Sequence, residues 1–165
     1  MTDIDVTVIG GGAAGLMAAV SAARCGARTR VIEHMDRIGK KILSTGNGKC
    51  NYTNAVQGLS CYRGENPAFV LPVFEQFGQE DTVRLFEELG IYPKIKNGYY
   101  YPASEQAVSV VEVFGMECDY LGVDLWTSCG LQSIQKSCTG YEIRTTKGAL
   151  SLIHISEPTR LGMIS

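Results

Sequence analysis

The chain predicts an α/β fold of the Rossmann type, with a parallel sheet and covering helices. Three observations near the N-terminus carry that expectation. Residues 4–9 form a short apolar, β-branched run, the pattern of a buried strand. Gly10, Gly12 and Gly15 then give the spacing G-x-G-x-x-G. A second β-branched run, residues 29–32, closes on the acid Glu33. Between them, residues 16–24 are rich in the good helix formers Ala, Leu and Met, and Gly26 is placed to end that helix. Strand, glycine turn, helix, turn and strand make one βαβ unit.

Beyond Glu33 the character changes. Residues 34–54 carry Gly39, Gly46, Gly48 and three asparagines and read mainly as loop. A loop of that length inside a compact domain usually has a task. Residues 69–77 and 82–89 read as short helices, the second ended by Gly90. Residues 91–101 read as a hairpin turning at Asn97-Gly98, the strongest short hairpin signal, and Pro102 stops its second strand. Ser104 is placed to N-cap a helix running to about Tyr120, ended by Gly122. Strands follow at 123–127, 131–136 and 141–146, with turns at Thr139-Gly140 and Lys147-Gly148.

Each glycine of the first motif has a mechanical reason. Gly10 makes the sharp turn off the strand, Gly12 lets backbone approach a pyrophosphate, and Gly15 lets the helix pack close to the sheet. Ala13 and Ala14 complete the turn, and the helix behind them aims its N–H groups and dipole at phosphate. Glu33 lies eighteen residues beyond Gly15, where a carboxylate accepts hydrogen bonds from an adenosine ribose. The same charge repels a 2′-phosphate, which disfavours NADP at this site. FAD and NAD both remain. A βαβ unit at the very N-terminus, running straight into a Gly/Asn-rich loop, leans towards FAD.

Composition sets limits on partners. The 165 residues are 45% hydrophobic, enough for one cored domain, and 19 are glycine. Lys and Arg number 15 against 17 Asp and Glu, a net charge of -2, so nothing marks the chain for nucleic acid or an anionic membrane. Asp3 and Asp5 stand where a signal peptide would be basic, and a cytoplasmic setting is expected. None of the six cysteines forms a C-x-x-C pair, and two histidines give little material for a metal site. A reducing compartment also argues against disulfides.

Residues 39–51, GKKILSTGNGKCN, form a second glycine loop. It is not a P-loop: Leu43 stands where the first glycine belongs, and Cys50 follows the lysine. It reads instead as an anion-friendly loop. Lys40, Lys41 and Lys49 can offset pyrophosphate charge, and backbone N–H groups around Gly46 and Gly48 can donate to phosphate or flavin oxygens. Cys50 has no local partner to favour its thiolate, so packing or cofactor contact is expected of it.

The segments VIGGGAAGLMAA, VIE and GKKILSTGNGKCNYTN resemble a bacterial and archaeal family of NAD(P)/FAD-dependent oxidoreductases. That family includes bile-acid-dehydroxylation reductase-like and aminoacetone-oxidase-like flavoproteins. The likeness continues through FEELGI, NGYYYPASEQAVSVV and GVDLWTSCGLQSIQ, spanning about residues 4–148. It implies FAD contacts at Gly10, Gly12, Ala14, Gly15, Glu33, Lys41, Gly48 and Asn51, and adenine contact by the backbone near Leu131. Where Lys49 stands the family usually has Arg, so the charge is kept but bidentate geometry is lost. The implied chemistry is hydride or electron-pair transfer through bound flavin on a small-molecule substrate, with NADH, NADPH or the substrate itself as electron donor.

Family members are more than twice as long. The resemblance therefore implies that residues 1–150 are the N-terminal part of an incomplete FAD-binding domain. A helical and hairpin insertion is expected at about 55–121. Residues 151–165, SLIHISEPTRLGMIS, depart from the family pattern and resemble translated sequencing-adapter sequence. A non-native tail joined near 149–152 is expected, with a natural short terminus as the alternative, and His154 and Glu157 receive no role. A sheet lacking its next strand is expected to leave an open edge and an incompetent enzyme.

Tyr92, Tyr99, Tyr100 and Tyr101 are expected to pack across the hairpin rather than line a pocket. Trp126 is expected in the core, and Glu87, Glu88 and Glu105 on solvated helix faces. No Ser-His-Asp or Cys-His arrangement supports hydrolysis. A non-catalytic NAD/FAD-binding sensor module and a non-functional truncated product stand as the other readings.

Overall fold

The computed structural model describes residues 4–137, 140–152 and 155–156. In chain order the elements are β1 (Val6–Ile9), α1 (Ala13–Arg24), β2 (Thr29–Ile32), β3 (Thr53–Asn54), α2 (Leu71–Gln76), α3 (Gln79–Glu88), β4 (Pro93–Lys96), β5 (Tyr99–Pro102), α4 (Ala107–Tyr120), β6 (Asp124–Trp126), β7 (Leu131–Ser137), β8 (Gly140–Thr145), β9 (Gly148–Leu152) and β10 (Ile155–Ser156). They divide into two compact units, Met1–Lys41 with Phe114–Ser165, and Ile42–Val113. No helix among the described residues is long and apolar enough to cross a membrane.

The first unit holds a parallel sheet of order β10-β1-β2-β6. Parallel strands covered on both faces are usually apolar on both. β2 has all four residues buried although only Val31 and Ile32 are apolar. α1 turns Leu16, Ala19 and Val20 onto Val8 and Val31 of the sheet region, and all five side chains are fully buried. Leu16, Ala19 and Val20 stand at i, i+3 and i+4, so one helical stripe supplies the contact. Burial contributes roughly 1.5–3 kcal/mol for each Val or Leu. β7, β8 and β9 form an antiparallel meander, and its Ile143 joins Ile32 and Cys129 in a core cluster flanked by Ile9, Trp126 and Ile134.

β2 also carries a charge. Arg30 is buried, donates through Nε to Asp124 Oδ2 at 2.8 Å, and lies 4.1 Å over the Trp126 ring. Trp126 is half-buried rather than fully enclosed, and its Nε1 also donates to Asp124 Oδ2.

β10 pairs with β1 in parallel, with Thr7 opposite Ile155 and Val8 opposite Ser156. An unpaired strand presents a row of backbone donors and acceptors that any extended segment can complete. Cys138, Thr139, Ile153, His154 and residues 157–165 lie outside the described residues.

The second unit holds a three-stranded antiparallel sheet of order β3-β5-β4. Its hairpin turns at Asn97 (φ 52°) and Gly98 (φ 81°), the left-handed pair that a two-residue hairpin demands. Tyr100 of β5 lies opposite Ile95 on one side and Thr53 on the other. α3 begins three residues earlier than expected, because the Asp81 carboxylate accepts the Gly78 N–H at 2.9 Å and closes the first turn. The helix expected over 69–77 is a 3-10 turn, Pro67–Val70, leading into α2. α4 begins at Ala107, not behind Ser104. Glu105 has φ 52°, which no helix accommodates, and Ser104 Oγ instead accepts the Gln106 N–H at 3.2 Å.

Candidate functional site

In the first unit the glycine turn joins β1 to α1. Gly10 has φ 101°, a conformation open to glycine, and its N–H donates to the Ile32 carbonyl at 2.8 Å. Gly12 is the N-cap of α1 and offers no side-chain cap. A Cβ at Gly12 would meet nothing within 4 Å. Ala13 and Ala14 are exposed, and Gly15 is buried against the turn. A bare, uncapped helix start facing open space is the arrangement that receives an anion.

Glu33 is 7% exposed and stands at the end of β2. Its Oε2 accepts the Gly11 N–H at 2.7 Å, and its Oε1 accepts the Met35 N–H at 2.7 Å. His34 Nδ1 lies 2.9 Å from the same Oε1. A carboxylate has about four acceptor positions, so capacity for a sugar hydroxyl remains. Gly11 is the residue that sequence reasoning passed over. A Cβ there would press on Ile38 at 3.1 Å and on Glu33 at 3.3 Å. The only signal for it was its place in the Gly10–Gly12 triplet. Gly39 was also missed as a structural tie: its N–H donates to the Gly11 carbonyl at 2.7 Å.

The end of β6 braces this corner. Glu33 N–H donates to the Trp126 carbonyl at 2.8 Å, and Cys129 N–H donates to the Glu33 carbonyl at 2.9 Å. Leu131, two residues further on, opens β7 and is 39% exposed. Lys40 sits 3.1 Å from Asp36 Oδ1, and that ammonium holds the Asp36 carboxyl below its usual range. Lys41 is exposed.

In the second unit the glycine loop is a 3-10 stretch, Ile42–Gly48, broken inside by non-helical Thr45, Gly46 and Asn47. Gly46 (φ 54°), Asn47 (φ 55°), Gly48 (φ 80°) and Cys50 (φ 56°) are all left-handed. Gly46 needs its bareness twice over, because a Cβ would fall 2.7 Å from the Asn51 backbone nitrogen. Gly48 has nothing within 4 Å of its Cβ position. Asn47 and Cys50 bear strain that glycine would avoid, a feature concentrated at functional loops.

Two amides of the loop turn inward. Lys49 N–H donates to the Gly46 carbonyl at 3.2 Å, and Cys50 N–H to the Thr45 carbonyl at 3.1 Å. Lys49 Nζ pairs with Glu105 Oε1 at 3.3 Å, and Glu105 Oε2 also takes Lys94. Glu105 is thus a bridge between two lysines, not a residue of a solvated helix. Cys50 is buried, and burial pushes its thiol up, away from the reactive thiolate. Asn51 Oδ1 is buried and has no hydrogen-bond partner.

Sheet, turn and buried acid together define a protein with a Rossmann-type nucleotide-binding fold. The profile of the HI0933-like protein Rossmann domain matches residues 4–154, and the chain belongs to that family. Over 141 residues it is 43% identical to the 3-dehydro-bile acid delta(4,6)-reductase of Clostridium scindens, covering 84% of this chain and 34% of the relative. It is 31% identical to a ribosomal RNA dihydrouridine synthase of Haemophilus influenzae, covering 83% and 34%. The chain thus spans about a third of the length of the curated relatives it matches. THI4 of Thermovibrio ammonificans shares the fold, with a TM-score of 0.60 at 16% identity over 93% of this chain and 56% of that one.

Proposed function

We propose that this chain is the N-terminal, FAD-binding part of a flavin-dependent oxidoreductase. The observation that carries the reading is the uncapped start of α1 at open Gly12, beside the buried Glu33 carboxylate. Those residues fit a dinucleotide: bare backbone and a helix dipole for the diphosphate, an acid for the ribose. Gly10, Gly12, Ala13, Ala14, Gly15 and Glu33 would hold the adenosine diphosphate half, with the backbone near Leu131 at the adenine. Lys40, Lys41, Gly46, Gly48, Lys49, Cys50 and Asn51 are proposed for the remainder. When bound, the flavin supplies acceptance and release of an electron pair.

The substrate proposed is a small molecule undergoing reduction, as the name of the 43%-identical relative suggests. A net charge of -2 supports that over a ribosomal RNA substrate. NADH or NADPH is the proposed electron donor, and the cytoplasm the proposed setting. The test is direct. A chain extended to the relatives' length and purified in the presence of FAD should retain it and turn yellow, and dithionite should bleach the colour. A colourless extended chain that retains no FAD overturns the reading. FAD retained without electron transfer from NADH or NADPH, in a chain extended to the relatives' length, would favour a sensor.

A further inference from the structure

We propose that a cleft in the second unit, between residues 51–62 and the turn of the β4–β5 hairpin, binds an uncharged, ring-bearing small molecule. The cleft measures about 600 Å³. Small-molecule sites run to roughly 300–1,000 Å³. None of its lining residues is charged.

The polar groups are carboxamides. Asn51, Asn54, Gln57 and Asn97 all line the cleft, and each carries both a donor and an acceptor. Two are already held in place. Asn54 Oδ1 accepts the Val56 N–H at 2.8 Å, and Gln57 Nε2 donates to Thr53 Oγ1 at 3.1 Å. Preorganised dipoles cost little to engage. Asn51 and Tyr52 line the cleft, but Asn51 Oδ1 and the Tyr52 hydroxyl are closed off from solvent and have no hydrogen-bond partner, so a ligand reaches them only if those side chains turn.

The apolar surface comes from Tyr62 and Tyr99, whose rings suit a flat partner. A charged ligand would leave water and find no countercharge among these residues, which selects for a neutral one. On the flavin reading, and resting on it, Asn51 belongs to both the glycine loop and the cleft, and the ligand is the substrate.

The test uses two probes with one frame, neutral 4-(hydroxymethyl)benzophenone and anionic 4-benzoylbenzoate. Cys61 lines the cleft and is exposed, and Cys25, exposed in the other unit, serves as control. Iodoacetamide labelling of each is followed by peptide mass spectrometry. The neutral probe, at about four times its Kd, should slow Cys61 labelling about fivefold and leave Cys25 unchanged. The anionic probe should require about tenfold higher concentration. Val56→Trp, at a position 64% exposed, should fill the cleft and remove protection without moving the thermal midpoint.

Equal Cys61 rates with and without the neutral probe overturn the proposal. So does equal protection by the anion. FAD retention measured on the same samples reports on the flavin reading separately. Protection of Cys61 in a chain extended to the relatives' length that holds no FAD sinks that reading and leaves the cleft standing.

Discussion

Gly15 meets Gly10 through bare backbone: a Cβ on Gly15 would fall 1.8 Å from the Gly10 carbonyl oxygen. Neither atom belongs to a flexible side chain, so α1 would have to lift off β1. Gly15→Ala should cost about 3 kcal/mol, the upper end of the overpacking range, read as a lower urea midpoint at unchanged m-value. Gly12→Ala is the contrast. With φ −83° and open space around it, stability should move by about 0.5 kcal/mol or less while FAD retention falls.

Glu33→Gln keeps the shape of the side chain but turns an NH₂ towards donors. Gly11 and Met35 both give their N–H to this carboxylate. Losing a buried charge-assisted hydrogen bond should cost roughly 1.5–3 kcal/mol. Thermal unfolding of the chain without FAD checks this, because the loss is expected with no ligand present.

The bridge of Lys49, Glu105 and Lys94 sets an acid limb. Both ammonium groups hold the Glu105 carboxyl below its ordinary 4.5. A lowered carboxylate stabilises the fold above that ordinary value and loses its contribution as pH falls below it. Glu105→Gln should lower the thermal midpoint slightly at neutrality, since exposed pairs contribute little, and converge with the parent chain as pH falls below that value.

Cys118 sets the alkaline limb. Its side chain is fully buried, and burial, with Asp119 and Glu117 adding, pushes the thiol from 9.0 up to about 11. The folded state therefore keeps a proton that the unfolded chain gives up. Stability is intact below pH 9.0 and drains away as pH rises through about 11. The loss should amount to roughly 2–3 kcal/mol. Cys118→Ala should lower the midpoint at neutral pH by leaving a small cavity, yet decline less steeply on the alkaline side. Tyr52, raised to about 12 mainly by burial, titrates later and in both proteins.

What could be read from the sequence was what short-range chemistry fixes. The βαβ unit, the Asn97-Gly98 turn and the Gly26, Gly90 and Gly122 helix ends each rest on a few neighbouring residues. Elements fixed by distant partners were not legible. β3 is only Thr53 and Asn54, and it exists because Tyr100 and Tyr99 lie across from it. β10 likewise exists through its pairing with Thr7 and Val8. At the site, the acid and the glycines were legible, but the Glu33 bond to Gly11 was not, since it joins residues 22 apart. The left-handed Asn47, Cys50 and Glu105 carried no signal, because their residue types alone do not demand that conformation.

Arg30 finds its partners in Asp124 and Trp126, and β2 has no outer neighbour until β6 arrives. During synthesis, therefore, β1, α1 and β2 leave the ribosome as a half-built layer. The intervening unit, Ile42–Val113, is continuous in sequence and has all its strands to hand before that layer is finished. Closing so long a loop is slow relative to local pairing. The nascent chain is therefore expected to complete residues 42–113 first and to pair β2 with β6 only once residues 124–126 have emerged, an order that pulse proteolysis of stalled nascent chains checks.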